Sequence, residues 1–168
     1  MSHLIQRATA LLLSLFILSA VASLSAFAQE GANVGDKIRQ MQALVHSEFR
    51  QILREEMLFT DEESAAFWPL YERYSAEKRA VNERYLASLI EYVDRYYAGD
   101  LTDEHASRLM NVYFDVQLAI LDKRRGYVAQ FGKFLSPIKV MRYYQLENKV
   151  QAEVNAAMAL AIPLADPR

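Results

Sequence analysis

Apolar residues recur at steps of three and four along most of this chain, the spacing of one face of an α-helix. Ile38, Met41, Leu44, Val45, Phe49, Ile52 and Leu53 form the first such line, predicting a helix from an Asp36 N-cap to about Met57. The second line runs through Leu70, Tyr74, Val81, Tyr85, Leu89, Tyr92, Val93 and Tyr96, and Gly99-Asp100 stops it. The third holds Leu109, Val112, Val116, Ile120, Tyr127, Phe131 and Phe134. The fourth holds Val140, Tyr143, Leu146, Val150, Val154 and Ala157, and Pro163 closes it near Ile162. No alternating strand pattern competes with these lines. The fold class is therefore all-α, with four helices.

Each helix after the first carries a start signal. Thr60 stands three residues before Glu63, so its hydroxyl can accept the Glu63 N–H while the Glu63 carboxylate accepts the Thr60 N–H. Asp61, Glu62 and Glu63 also place negative charge at the positive end of the helix dipole. Thr102 begins the third helix in the same way, ahead of Asp103, Glu104 and His105. Ser136 is the fourth N-cap, with Pro137 at the helical position that favours proline. Leu135 and Val140 around it fit a hydrophobic staple. Pro69, two turns into the second helix, predicts a kink or a delayed start. Gly126 reads either as a break in the third helix or as a tight packing point; Gly132 is the better C-terminal stop.

The first 28 residues have a different character. Arg7 precedes an uncharged apolar run, and Ala26-Phe27-Ala28 ahead of Gln29 is a small-residue cleavage pattern, the layout of a secretory signal peptide. Ala26, Ala28 and Gln29 are the cleavage-site residues. The alternative is an uncleaved anchor. The expected organisation is a signal peptide over 1–28, a polar leader over 29–35, one helical domain over 36–162 and a tail over 163–168. No later segment resembles a membrane span, so no stable membrane insertion is expected after cleavage. With no cysteine, and hence no lipobox, the periplasm is the expected location.

Composition narrows the chemistry. Absence of cysteine excludes disulfides, thiolate metal sites and cysteine nucleophiles. The chain after the leader holds 18 basic and 21 acidic residues, a net charge of −3, which gives no bulk basic field for nucleic acid. No nucleophile elbow, GxGxxG or P-loop occurs, and no cofactor or enzymatic activity is expected. His46 and His105 are the only histidines past the leader, and neither belongs to a zinc or di-iron helix motif. His105 beside Asp103 and Glu104 reads as a solvated first turn, with a metal site as its alternative.

The tyrosines are the unusual feature. All ten lie past the leader, and Tyr71, Tyr74, Tyr85, Tyr92, Tyr96 and Tyr97 follow the second helix. They read either as core packing with hydroxyls at the rim or as an adaptable binding surface, since tyrosine offers large contact area at low entropy cost. Arg79, Arg84 and Arg95 interleave with them, and Lys123, Arg124 and Arg125 form a basic cluster on the third helix. A solvated face is one meaning of these cations; a rim attracting acidic or unfolded clients is the other. The candidate client-binding set is Tyr85, Tyr92, Tyr96, Arg84, Arg95, Arg124 and Arg125.

Length adds an expectation of shape. A second helix of about 37 residues spans roughly 55 Å. A compact globule of this size measures about 37 Å across. An elongated subunit follows, with apolar lines left for a curved surface, a dimer interface or both.

The start signals Phe59-Thr60-Asp61-Glu62-Glu63 and Leu135-Ser136-Pro137-Ile138-Lys139 share an apolar–hydroxyl–x–x–polar outline, repeated in Leu101-Thr102-Asp103-Glu104-His105. Behind a signal peptide, in a small helical chain without cysteine, this resembles the Spy/CpxP family of LTXXQ-motif periplasmic proteins. Glu63, His105 and Lys139 stand where the motif has glutamine, Phe59 stands for its leucine, and Ser136 for its threonine. The resemblance implies a hook-like four-helix subunit that dimerises into a cradle and binds unfolded envelope proteins without ATP. It also admits an accessory that docks on a sensor kinase's periplasmic domain, or a metal-binding relative. Only the helix-capping positions Thr60, Glu63, Thr102, Ser136 and Pro137 carry over.

Overall fold

The computed structural model describes residues 34–167, which form four α-helices joined by short links. They are α1 (Val34–Glu56), α2 (Asp61–Ala98), α3 (Asp103–Phe131) and α4 (Pro137–Ala161). The cleavage-site residues Ala26, Ala28 and Gln29 lie outside the described residues. α1 begins at Val34, so Asp36 lies inside the helix and not at its cap. An acid is favourable in the first turn as well as at the N-cap, so its presence could not fix the boundary.

The helix ends follow from backbone groups that need partners. Thr60 Oγ1 accepts the Glu63 N–H at 3.2 Å, and a Glu63 carboxylate oxygen accepts the Thr60 N–H at 2.9 Å. At α3, Thr102 Oγ1 accepts the His105 N–H at 3.3 Å, while His105 Nδ1 accepts the Thr102 N–H at 3.4 Å. Ser136 Oγ accepts the Lys139 N–H at 3.3 Å. α2 closes on Gly99, at φ +71°, where the Asp100 and Gly99 amides donate to the Arg95 and Tyr96 carbonyls, each at 3.2 Å. That left-handed turn suits glycine.

Pro69 does not delay α2, which starts at Asp61. Gly126 neither breaks α3 nor marks a tight approach. It lies inside the helix, and a Cβ there would meet nothing within 4 Å.

Contacts divide the described residues into two compact units: Arg50–Gln145, and residues 34–49 with 146–167. The first is built around rings. Phe67 is fully buried and lies 4.5 Å from Phe59, 5.4 Å from Phe131 and 5.6 Å from Tyr143, centroid to centroid. Tyr74 joins through Tyr127 at 4.8 Å, and Phe131 meets Tyr143 at 5.0 Å. Leu53, Met57 and Leu135 are buried as well, and Val116 is buried further along α3. Aromatic pairs at such centroid distances contribute about 0.5–1.5 kcal/mol each beyond burial. The buried line of α2 is Phe67, Tyr71, Tyr74, Leu86 and Leu89, rotated from the expected line so that Leu70 is only half-buried.

Helices α2 and α3 form an antiparallel hairpin. Its rungs descend one helix as they climb the other: Arg73 to Gln130 at 2.9 Å, Glu77 to Tyr127 at 2.8 Å and to Lys123 at 2.7 Å, Tyr85 against Tyr113 at 5.8 Å, and Glu91 to Arg108. The end of α1 docks on α2 through Trp68, with the Arg50 and Arg54 guanidinium carbons each 5.2 Å from its ring centroid. Cations over an aromatic face are attracted by its quadrupole. Arg142 of α4 donates to the Glu56 carbonyl at 2.6 Å and to its carboxylate at 2.7 Å, offsetting the negative end of α1.

In the other unit, Phe49, Glu147, Val150 and Ala157 are buried. Glu153 is half-buried there, and desolvation pushes its carboxyl above the ordinary range.

Candidate binding surface

The hairpin divides the tyrosines of α2 by depth. Tyr71 and Tyr74 belong to the ring core. Tyr85, Tyr92 and Tyr96 are half-buried, and Tyr97 is exposed. Burial first, and then Tyr113 beside it, raise the Tyr85 hydroxyl's pKa; burial and then Tyr96 do the same at Tyr92. Tyr92 and Tyr96 lie 6.2 Å apart, and Tyr96 meets Tyr97 edge-on at 5.3 Å.

The expected cations are dispersed. Arg95 is committed within the chain, bonding Glu91 at 2.8 Å and Asp100 at 3.3 Å. Glu91 also receives Arg108, and these two guanidinium groups, Arg108 foremost, hold its carboxyl at about 2. Arg84 and Arg125 are exposed, whereas Arg124 is half-buried and its carbonyl accepts the Tyr144 hydroxyl at 2.9 Å. Lys123 bonds Glu77, which together with the Tyr127 hydroxyl lowers that carboxyl's pKa. The structure therefore does not gather Tyr85, Tyr92, Tyr96, Arg84, Arg95, Arg124 and Arg125 into one cluster.

It exposes a different surface. Met110, Phe114, Leu118, Leu121 and Val128 of α3 are between 45% and 62% exposed. At about 100° per residue they fall within about 80° of the helix circumference. The buried line Leu109, Val116, Tyr127 and Phe131 is centred about 120° away. The outer stripe runs about 27 Å along the helix. Arg125 sits within it, between Leu121 and Val128. At its edge Tyr113 meets Phe114 at 5.2 Å and Tyr85 of α2 at 5.8 Å, so one expected tyrosine joins this surface.

The sequence carried a signal for this stripe. Met110, Phe114, Leu118 and Leu121 follow one another at steps of four, four and three, with Val128 two turns further on. The line through Leu109 and Val116 obscured it, because a helix with two apolar lines looks merely apolar until one line is covered. An exposed apolar stripe of this kind is a candidate interaction surface.

Neither histidine joins a metal cluster: among the described residues no three His, Asp or Glu side chains converge. His105 accepts the Thr102 N–H through Nδ1, and His46 lies half-buried on α1. No helix among the described residues is long and apolar enough to cross a membrane. No protein-family model, curated protein or solved structure matches the chain.

Proposed function

We propose that this protein is a periplasmic, ATP-independent chaperone-like protein that holds partly unfolded envelope proteins on the outer stripe of α3. The exposure of Met110, Phe114, Leu118, Leu121 and Val128 on one helix face carries this reading. Such a face stays in water only at a cost of about 25 cal/mol per Å² of apolar area, and any chain with loosened apolar segments relieves it by docking there. The capture is reversible and needs no chemical step. Tyr113 and Tyr85 extend the surface with rings that have polar tips, which suits clients of varied sequence. Arg125 gives the stripe one cation that can meet a client carboxylate. The resemblance of the helix starts to the LTXXQ outline supports the same reading, as it does a homodimer.

The deciding experiment is an aggregation assay with two unrelated unfolding clients, with the size of the protein followed by light scattering. A chaperone suppresses aggregation of both at near-stoichiometric amounts, and Phe114→Ser with Leu118→Ser abolishes the effect. An accessory of a sensor kinase binds one folded partner and leaves aggregation of both clients unchanged.

A further inference from the structure

The chain has six methionines and no cysteine, so thioethers are its only sulfur. Burial separates those whose side chains are described. Met57 is 1% exposed and Met158 is half-buried, whereas Met110 and Met141 are 54% and 56% exposed. Met141 is on α4, one turn from the exposed Ile138. Met110 is different in position: it heads the apolar stripe of α3, one turn before Phe114. With no thiol present to react first, an oxidant reaching this protein meets the accessible thioethers.

We infer that Met110 is an oxidation site through which hydroperoxides weaken the binding surface of α3. This rests on the client-binding reading given above. The thioether sulfur supplies two electrons and takes one oxygen atom from the hydroperoxide. The O–O bond breaks, and with hydrogen peroxide the other oxygen leaves as water. The product is a sulfoxide, polar where the thioether was apolar and a strong hydrogen-bond acceptor. At Met110 it places a hydrated group at the end of the stripe, where a client would otherwise cover apolar atoms. The change is reversible, since sulfoxides are reduced enzymatically back to methionine. The same reaction at Met141 lies outside the stripe, and Met57 is shielded by the core.

The test treats the purified protein with hydrogen peroxide and reads three quantities. Peptide mass mapping locates the added oxygen. The expected order places Met110 and Met141 ahead of Met57, and oxygen reaching Met57 before Met110 overturns the proposal. The second quantity is client capture, each protein being compared with its own untreated sample. Peroxide is expected to weaken capture about fourfold in the unsubstituted chain, the effect of losing about one methylene's worth of burial. Met141→Leu should lose as much, and Met110→Leu should lose nothing. An equal loss in Met110→Leu overturns the assignment.

The third quantity is binding of an apolar fluorescent dye, which needs no client. Untreated protein that captures no client sinks the functional reading. Dye binding then decides the oxidation site: a fall with peroxide that Met110→Leu abolishes supports it, and no fall refutes it.

Discussion

The ammonium of Lys139 rests on the carboxylate of Glu63, joining two helix starts that lie 76 residues apart in sequence. The same ammonium donates to the Leu58 carbonyl at 2.9 Å. Glu63 thus caps α2 and anchors α4 together, and the lysine bond first, then the Thr60 amide, lower its pKa. A lowered carboxyl pKa stabilises the fold above the unfolded value, and that contribution disappears as pH falls through the folded value. Lys139→Met is therefore expected to lower the melting temperature at pH 7, with the difference from the unsubstituted protein shrinking as pH falls below about 4.5. Thermal melts across this range check it; a pH-independent difference would contradict the Glu63 linkage. Thr60→Ala, which removes only the cap, should cost about 1 kcal/mol in denaturant unfolding.

Two exposed glycines should respond in opposite directions. Gly99 has φ +71°, so Gly99→Ala places a Cβ in the left-handed region and costs about 1–2 kcal/mol. Gly126 has a helical backbone and open space around it, so Gly126→Ala should add about 0.5–1 kcal/mol. Urea unfolding of the two variants compares them directly. Destabilisation by Gly126→Ala would mean that the site is covered in solution.

Buried and outer rings should separate stability from binding. Phe67→Ala leaves a cavity in the ring core and should cost about 3–5 kcal/mol. Phe114→Ser should change stability by no more than about 0.5 kcal/mol, as expected of an exposed position, while lowering client capture. Melting and aggregation assays on both variants test the division. Unaltered capture in Phe114→Ser would move the binding surface away from α3.

Acid should loosen the tip of the α2–α3 hairpin. Arg108 and Arg95 hold Glu91 at about 2, so its contribution is complete above about 4.5 and fades as pH falls from there towards 2. Glu91→Gln should lower stability at neutral pH and approach the unsubstituted protein near pH 2. Hydrogen exchange at residues near Gly99 measures this. Equal protection of the two proteins at neutral pH would leave the pair without a stabilising role.

The candidate surface shows where sequence stops. Short-range pattern determined the four helices, the caps at Thr60, Thr102 and Ser136, and the stop at Gly99, because each depends on backbone groups a few residues apart. Pattern also found the buried line of α3 through Leu109, Val116 and Tyr127. It could not tell which tyrosines of α2 enter the core, because Tyr71, Tyr74, Tyr85 and Tyr92 share one residue type at helical spacing. Their depths depend on which part of α3 or α4 lies opposite: Tyr127 and Tyr143 cover Tyr74, while Tyr85 meets only the edge ring of Tyr113 among the aromatic contacts seen. Nor could it assign Arg95 to Glu91 and Asp100, or choose which of two apolar lines on α3 faces water. Periodicity measures the angle between side chains on one helix. Burial depends on a second helix, and only the tertiary structure supplies it.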